Sequence, residues 1–121
     1  MDNKKVVAQF CEYYYTNFAR DRSRLESLYV DQSMLTFQGT SFKGRSAIKE
    51  KMVEGIRFGT VKHENMNFEF QPFLESGILV LVTGAMSTDG DRALPFSEAF
   101  TLAKKDGRYI IVNQIFRFNS L

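Results

Sequence analysis

The residues able to do chemistry in this chain are few. It has one histidine, His63, and one cysteine, Cys11, so a closed zinc site of four Cys and His ligands is excluded. A lone thiol has no partner for a disulfide within the chain, which fits a reducing compartment. Cys11 falls on a helical apolar stripe and reads as a small buried hydrophobe. His63 lies on a strand of mixed polarity and reads as a structural histidine rather than a base. The phosphate loop Gly-x-x-x-x-Gly-Lys-Ser/Thr, the dinucleotide turn Gly-x-Gly-x-x-Gly, His-Glu-x-x-His and the Gly-x-Ser-x-Gly elbow are all missing. The most informative polar segment is Thr88-Asp89-Gly90-Asp91-Arg92. Turn chemistry accounts for it, since Asp tolerates turn conformations and Gly supplies positive φ. Two carboxylates on a tight turn also form a clamp for a partner's lysine or arginine. Both readings stand. A calcium loop does not fit, because the further spaced oxygen ligands and distal Glu are missing.

Those residues must be positioned by a small set of elements. With 121 residues the chain is expected to form one domain over 1–121, burying about two-thirds of its surface without staples. Sixteen basic and fourteen acidic residues leave a formal charge of +2, too balanced for a phosphate-driven nucleic-acid binder. The opening Met1-Asp2-Asn3-Lys4-Lys5 leads into no apolar secretory run, and the longest aliphatic run is Ile78 to Val82. The expectation is a soluble intracellular domain without membrane segments. Twelve Phe and five Tyr against no Trp indicate either an aromatic-rich core or an aromatic-lined pocket or contact surface.

Val7, Phe10, Cys11, Tyr14 and Phe18 place an apolar stripe on a first helix. Leu25, Leu28 and Tyr29 suggest a short second one after an Arg-rich turn. Met34–Phe37 and Ser41–Phe42 read as two strands around Gln38-Gly39-Thr40, and Gly44 opens a helix carrying Ile48, Met52 and Ile56. From Thr60 the period becomes two, with a bulge expected near Glu64-Asn65. Strands 77–87, 93–103 and 109–118 then form a meander, with a bend at Gly84 and turns at Asp89-Gly90-Asp91 and Lys104–Gly107. Both faces of the last strand look apolar, with Ile111 and Ile115 on one and Ile110, Val112, Phe116 and Phe118 on the other. Helices can cover one face; a second subunit is the natural cover for the other. The fold class is therefore α+β.

Several blocks together resemble the nuclear transport factor 2 family. They are Tyr14-Tyr15-Thr16-Asn17-Phe18-Ala19-Arg20-Asp21-Arg22-Ser23-Arg24-Leu25, Ser33-Met34-Leu35-Thr36-Phe37-Gln38-Gly39 and Phe42-Lys43-Gly44-Arg45-Ser46-Ala47-Ile48. Gln71-Pro72, Val82-Thr83-Gly84, Asp89-Gly90-Asp91 and Asn113-Gln114-Ile115-Phe116-Arg117-Phe118 extend the likeness along the whole chain, in order. The resemblance implies a cone-shaped roll in which N-terminal helices pack on a curved antiparallel sheet and enclose an apolar cavity. It implies a homodimer formed through the sheets, with Leu81 and Ile115 at dimer-face positions. Members of the family are not enzymes and hold no cofactor. They carry the GDP-bound GTPase Ran into the nucleus and touch Phe-x-Phe-Gly repeats of nucleoporins, so the protein would be found in cytoplasm and nucleus, concentrated at the pore. Asp89 and Asp91 match two of the acids that meet Ran; a third falls at Gln38, which accepts a hydrogen bond but carries no charge. The cavity mouth beside them is expected to be edged by Phe58, Leu94 and Phe116. A nucleoporin-contacting aromatic of the family falls at Phe37, expected to be exposed near the subunit boundary, though it also reads as the core residue of a short strand.

Two other readings share the fold. One is a cavity enzyme of the isomerase or dehydratase kind, for which Tyr13, Tyr14, Tyr15, His63 and Asp31 supply residue types. A buried acid with a raised pKa would favour it; acids on an exposed turn favour docking. The other is an adapter half that pairs with a different scaffold in messenger RNA export.

Overall fold

A computed structural model describes residues 2–57 and 59–119. Helix α1 (Asn3–Arg20) starts at Asp2, whose side chain accepts from the Lys5 N–H, and buries Val6, Val7, Phe10, Cys11, Tyr14, Tyr15 and Phe18. It stops at Asp21, where the backbone turns extended and the side chain accepts from the Ser23 N–H. The short second helix takes 3-10 form, Arg22–Leu28, anchored by buried Leu25. Strands β1 (Met34–Phe37) and β2 (Thr40–Lys43) form the expected hairpin, with Gln38 and Gly39 at φ 50 and 88. Gly44, at φ 93, caps α2 (Arg45–Glu50), which continues as a π-helical turn over Lys51–Gly55. Four long strands follow: β3 (Val61–Phe73), β4 (Gly77–Thr88), β5 (Leu94–Lys105) and β6 (Arg108–Phe118).

The strands form one six-stranded sheet in the order β2-β1-β6-β5-β4-β3. It is mixed rather than wholly antiparallel, because β1 runs parallel to β6. The rest of the sheet lies between those two strands in sequence, so no hairpin sets their relative direction. The helices cover one face of the sheet, giving the α+β roll expected from the residues. Among the described residues no helix is long and apolar enough to cross a membrane.

Two bulges set which side chains point inward. The first interrupts β3 between Glu64 and Asn67, with Asn65 at φ 56, where the change of parity predicted it. Gly84 faces this bulge; a Cβ there would come within 2.5 Å of Met66 Sδ and 3.1 Å of the Glu64 carbonyl oxygen. The second lies in β6, where Leu102 pairs with Ile111 but Thr101 with Asn113, leaving Val112 unpaired. Ile111 is therefore buried and Ile115 exposed, so the two do not share a face as simple alternation suggests.

Candidate functional site

The β4–β5 turn joins two neighbouring strands of the sheet. Asp89 sits at φ 53 and Gly90 at φ 82. One Asp89 carboxylate oxygen accepts from the N–H groups of Gly59 and Thr60 at 2.9 and 2.8 Å, and the Asp89 N–H donates to the Thr60 carbonyl at 2.7 Å. Turn chemistry is thus in use: Asp89 pins the segment before β3 to the hairpin. Its side chain and that of Asp91 are both exposed. Leu94 is exposed next to them, and Phe58 lies outside the described residues.

Gln38 is committed to the sheet. Its N–H donates to the Phe116 carbonyl at 2.9 Å, and its side-chain oxygen accepts from the Phe118 N–H at 2.7 Å. At this position a neutral acceptor extends the β1–β6 ladder by one bond.

Phe37 does not stand exposed. It is 9% accessible, because β1 alternation turns it inward with Leu35, and its ring stacks on Phe116 at 4.7 Å and 15°. Lys51 Nζ stands 4.9 Å from its centroid. Phe116 is likewise buried rather than at a rim, stacking on Phe96 at 5.5 Å and meeting Phe118 edge-on at 5.1 Å. The aromatic excess is therefore largely an ordered interior stack running from β1 across β6 to β5.

Deeper inside lies a polar cluster that pattern reading missed. Glu98 is 3% exposed. Its two oxygens accept from the Tyr15 hydroxyl and the Gln114 amide, each at 2.7 Å. The same Gln114 amide donates to the Tyr14 hydroxyl at 2.7 Å, and its carbonyl accepts from Tyr29 at 2.6 Å. The cluster ties α1, the end of the 3-10 helix, β5 and β6 together. A signal existed for both: Glu98 is an acid in phase with Phe96 and Phe100, and Gln114 is a polar residue in phase with Phe116 and Phe118. Burial pushes the Glu98 carboxyl up to about 7, although the bonds from Gln114 and Tyr15 oppose this. Burial, and then the nearby Glu98, raise Tyr14, Tyr15 and Tyr29. Burial pushes the Cys11 thiol up to about 12, with Glu98 adding to it, so the thiol is inert.

His63 packs its ring against Tyr15, Phe18 and Phe96 at 5.0, 6.0 and 6.0 Å, and burial lowers it to about 4. It is a neutral packing residue. Among the described residues no buried side-chain nitrogen or oxygen lacks a hydrogen-bond partner, and no group of three or more His, Cys, Asp or Glu is placed to hold a metal. Glu98 has the buried, raised-pKa character of a catalytic acid, but both its oxygens are taken by protein donors.

The outer face of the sheet is the other candidate surface. Ser41, Thr36, Ile115, Ala99, Leu81 and Glu69 stand side by side across all six strands. In the adjoining row Met34, Thr101 and Leu79 extend it. Leu81 is 47% and Ile115 54% exposed, with Met34 and Leu79 also open. Apolar side chains so gathered on one face mark an association surface.

The chain is an α+β roll with helices on one face of the sheet, a bare apolar patch on the other and acids at a hairpin turn, built around a packed interior. Residues 6–118 match the Nuclear transport factor 2 domain, and the chain belongs to that family. The Nuclear transport factor 2 of Schizosaccharomyces pombe is 38% identical over 120 residues, covering 98% of this chain and 97% of that relative. The structure of nuclear transport factor 2 from Cryptosporidium parvum superposes with a TM-score of 0.90 at 35% identity, covering 96% of this chain and 94% of that one. A Novosphingobium aromaticivorans protein described as a candidate scytalone dehydratase shares the fold alone, with a TM-score of 0.82 at 18% identity, over 97% of this chain and 84% of that one.

Proposed function

We propose that this protein is a nuclear transport carrier that binds GDP-bound Ran and Phe-x-Phe-Gly nucleoporins, is not an enzyme, and moves between cytoplasm and nucleus through the pore. The observation that carries this reading is the family match over residues 6–118. Asp91 and the Asp89 carboxylate would receive basic residues of Ran, with Leu94 edging the contact. Gln38 would contribute no charge. Phe116 would line the interior behind them. With no phosphate-binding motif in the chain, the nucleotide state of Ran would be read through the shape of its switch segments.

The carrier would be a homodimer paired through the row that contains Leu81 and Ile115, since two such faces can cover one another isologously. A nucleoporin phenylalanine would have to displace the Lys51 ammonium to stack on Phe37. Both Glu98 oxygens already accept from protein donors inside the packed interior, which argues against a cavity enzyme with an acid facing substrate. Two experiments test the proposal. A pull-down should recover Ran loaded with GDP in preference to Ran loaded with GTP; equal or absent recovery refutes the carrier reading. Light scattering on the isolated chain should give the mass of a dimer; a monomer would favour an adapter that pairs with another protein.

A further inference from the structure

At the end of the sheet away from the acidic turn, a half-open pocket of about 380 Å³ lies between the first half of α1 and the β5–β6 hairpin. Val6, Phe10 and Tyr13 form its helical wall, Leu28 closes one side, and Lys104 and Tyr109 form the hairpin wall. The helical residues are spaced four and three apart, so one face of α1 presents them together. The Tyr13 hydroxyl is occupied by the Arg24 carbonyl at 3.0 Å, which fixes that side chain at the wall. Lys104 and Tyr109 are a cross-strand pair, and the Lys104 ammonium stands 5.8 Å from the Tyr109 ring centroid. No described acid lies within ion-pair distance of Lys104, and no acid lines the pocket.

An apolar wall with one cation at its lip is complementary to an apolar body that ends in an anion. The size falls within the range of small-ligand sites, roughly 300–1,000 Å³. We infer that this pocket is a binding site for a small amphipathic carboxylate, with its hydrocarbon part against Val6, Phe10 and Leu28 and its carboxylate on Lys104. The ammonium, already placed over an aromatic face, needs little reordering to meet an anion. The site is separate from the turn proposed to meet Ran and from the outer face of the sheet.

The test uses the full chain and decanoate as probe, with decanol as its uncharged counterpart, both below the concentrations at which they aggregate. Titration followed by amide NMR should show saturable decanoate binding that shifts signals from Val6 to Tyr13, at Leu28 and from Lys104 to Tyr109. Decanol should bind about threefold more weakly, the share of an exposed ion pair. Lys104→Met should erase that difference. Gln9→Glu, at an exposed position of the helical wall, should abolish decanoate binding by setting a like charge at the lip. No saturable binding, equal affinity for the two probes in the parent protein, or shifts confined to the outer face of the sheet would each overturn the inference.

Discussion

Replacing Glu98 with glutamine should change how stability depends on pH. The carboxyl of Glu98 is raised from 4.5 to about 7 by burial. Its raised folded-state pKa means that stability is fully present below about pH 4.5 and lost as pH rises through about 7. At about 1.4 kcal/mol per pH unit between those values, ionising Glu98 in place costs the native state roughly 3 kcal/mol. His63 acts in the opposite sense: held at about 4 by burial, it contributes stability above its unfolded pKa that is lost as pH falls toward 4. The parent protein should therefore show a flattened profile between pH 4 and 7, where the two effects oppose each other. Glu98→Gln removes one of them. Glutamine can accept from Gln114 and donate to Tyr15, whose hydroxyl turns to receive it. Urea unfolding at fixed protein concentration, followed by tyrosine fluorescence at several values from pH 4.5 to 8.5, isolates the effect as the gap between variant and parent. The variant should gain on the parent by roughly 3 kcal/mol across that range. A gap that stays constant with pH would refute the reasoning, because Glu98 would then keep one protonation state in folded and unfolded chain alike.

Ile115→Glu should leave a monomer in light scattering where the parent gives the proposed dimer, since burying an unpaired carboxylate between two sheets costs several kcal/mol. Phe37→Ala should lower stability by about 3–5 kcal/mol in urea unfolding, as expected for a buried aromatic stacked on Phe116; near-neutrality would mean that the ring lies in solvent. Asp91→Asn should weaken Ran–GDP binding about tenfold in calorimetry while leaving the melting temperature unchanged. Asp89→Ala should weaken Ran binding and also cost about 1 kcal/mol of stability, because it removes the oxygen that accepts from the Gly59 and Thr60 N–H groups.

Local features of this protein were legible from residue order alone. The stripe from Val7 to Phe18 defines α1, and the change of parity after His63 marks the β3 bulge. Asp89-Gly90-Asp91 marks a tight turn, because these signals depend on neighbours a few positions away. The family likeness is also a property of residue order, and it extends to the acidic turn and to Leu81 and Ile115. Tertiary structure alone decided the rest. Phe37 reads as equally fit for surface or interior until Phe116 is brought against it from 79 positions away. Gln114, in phase with Phe116, reads only as a polar residue on an apolar face until Glu98, 16 positions earlier, is brought against its amide. The same holds for Asp89, whose carboxylate finds the Gly59 and Thr60 N–H groups across 30 and 29 positions. Periodicity reports which face a side chain takes relative to its immediate neighbours. A slip of one residue in register reverses that face, and what a side chain then meets is settled by strands that come from elsewhere in the chain.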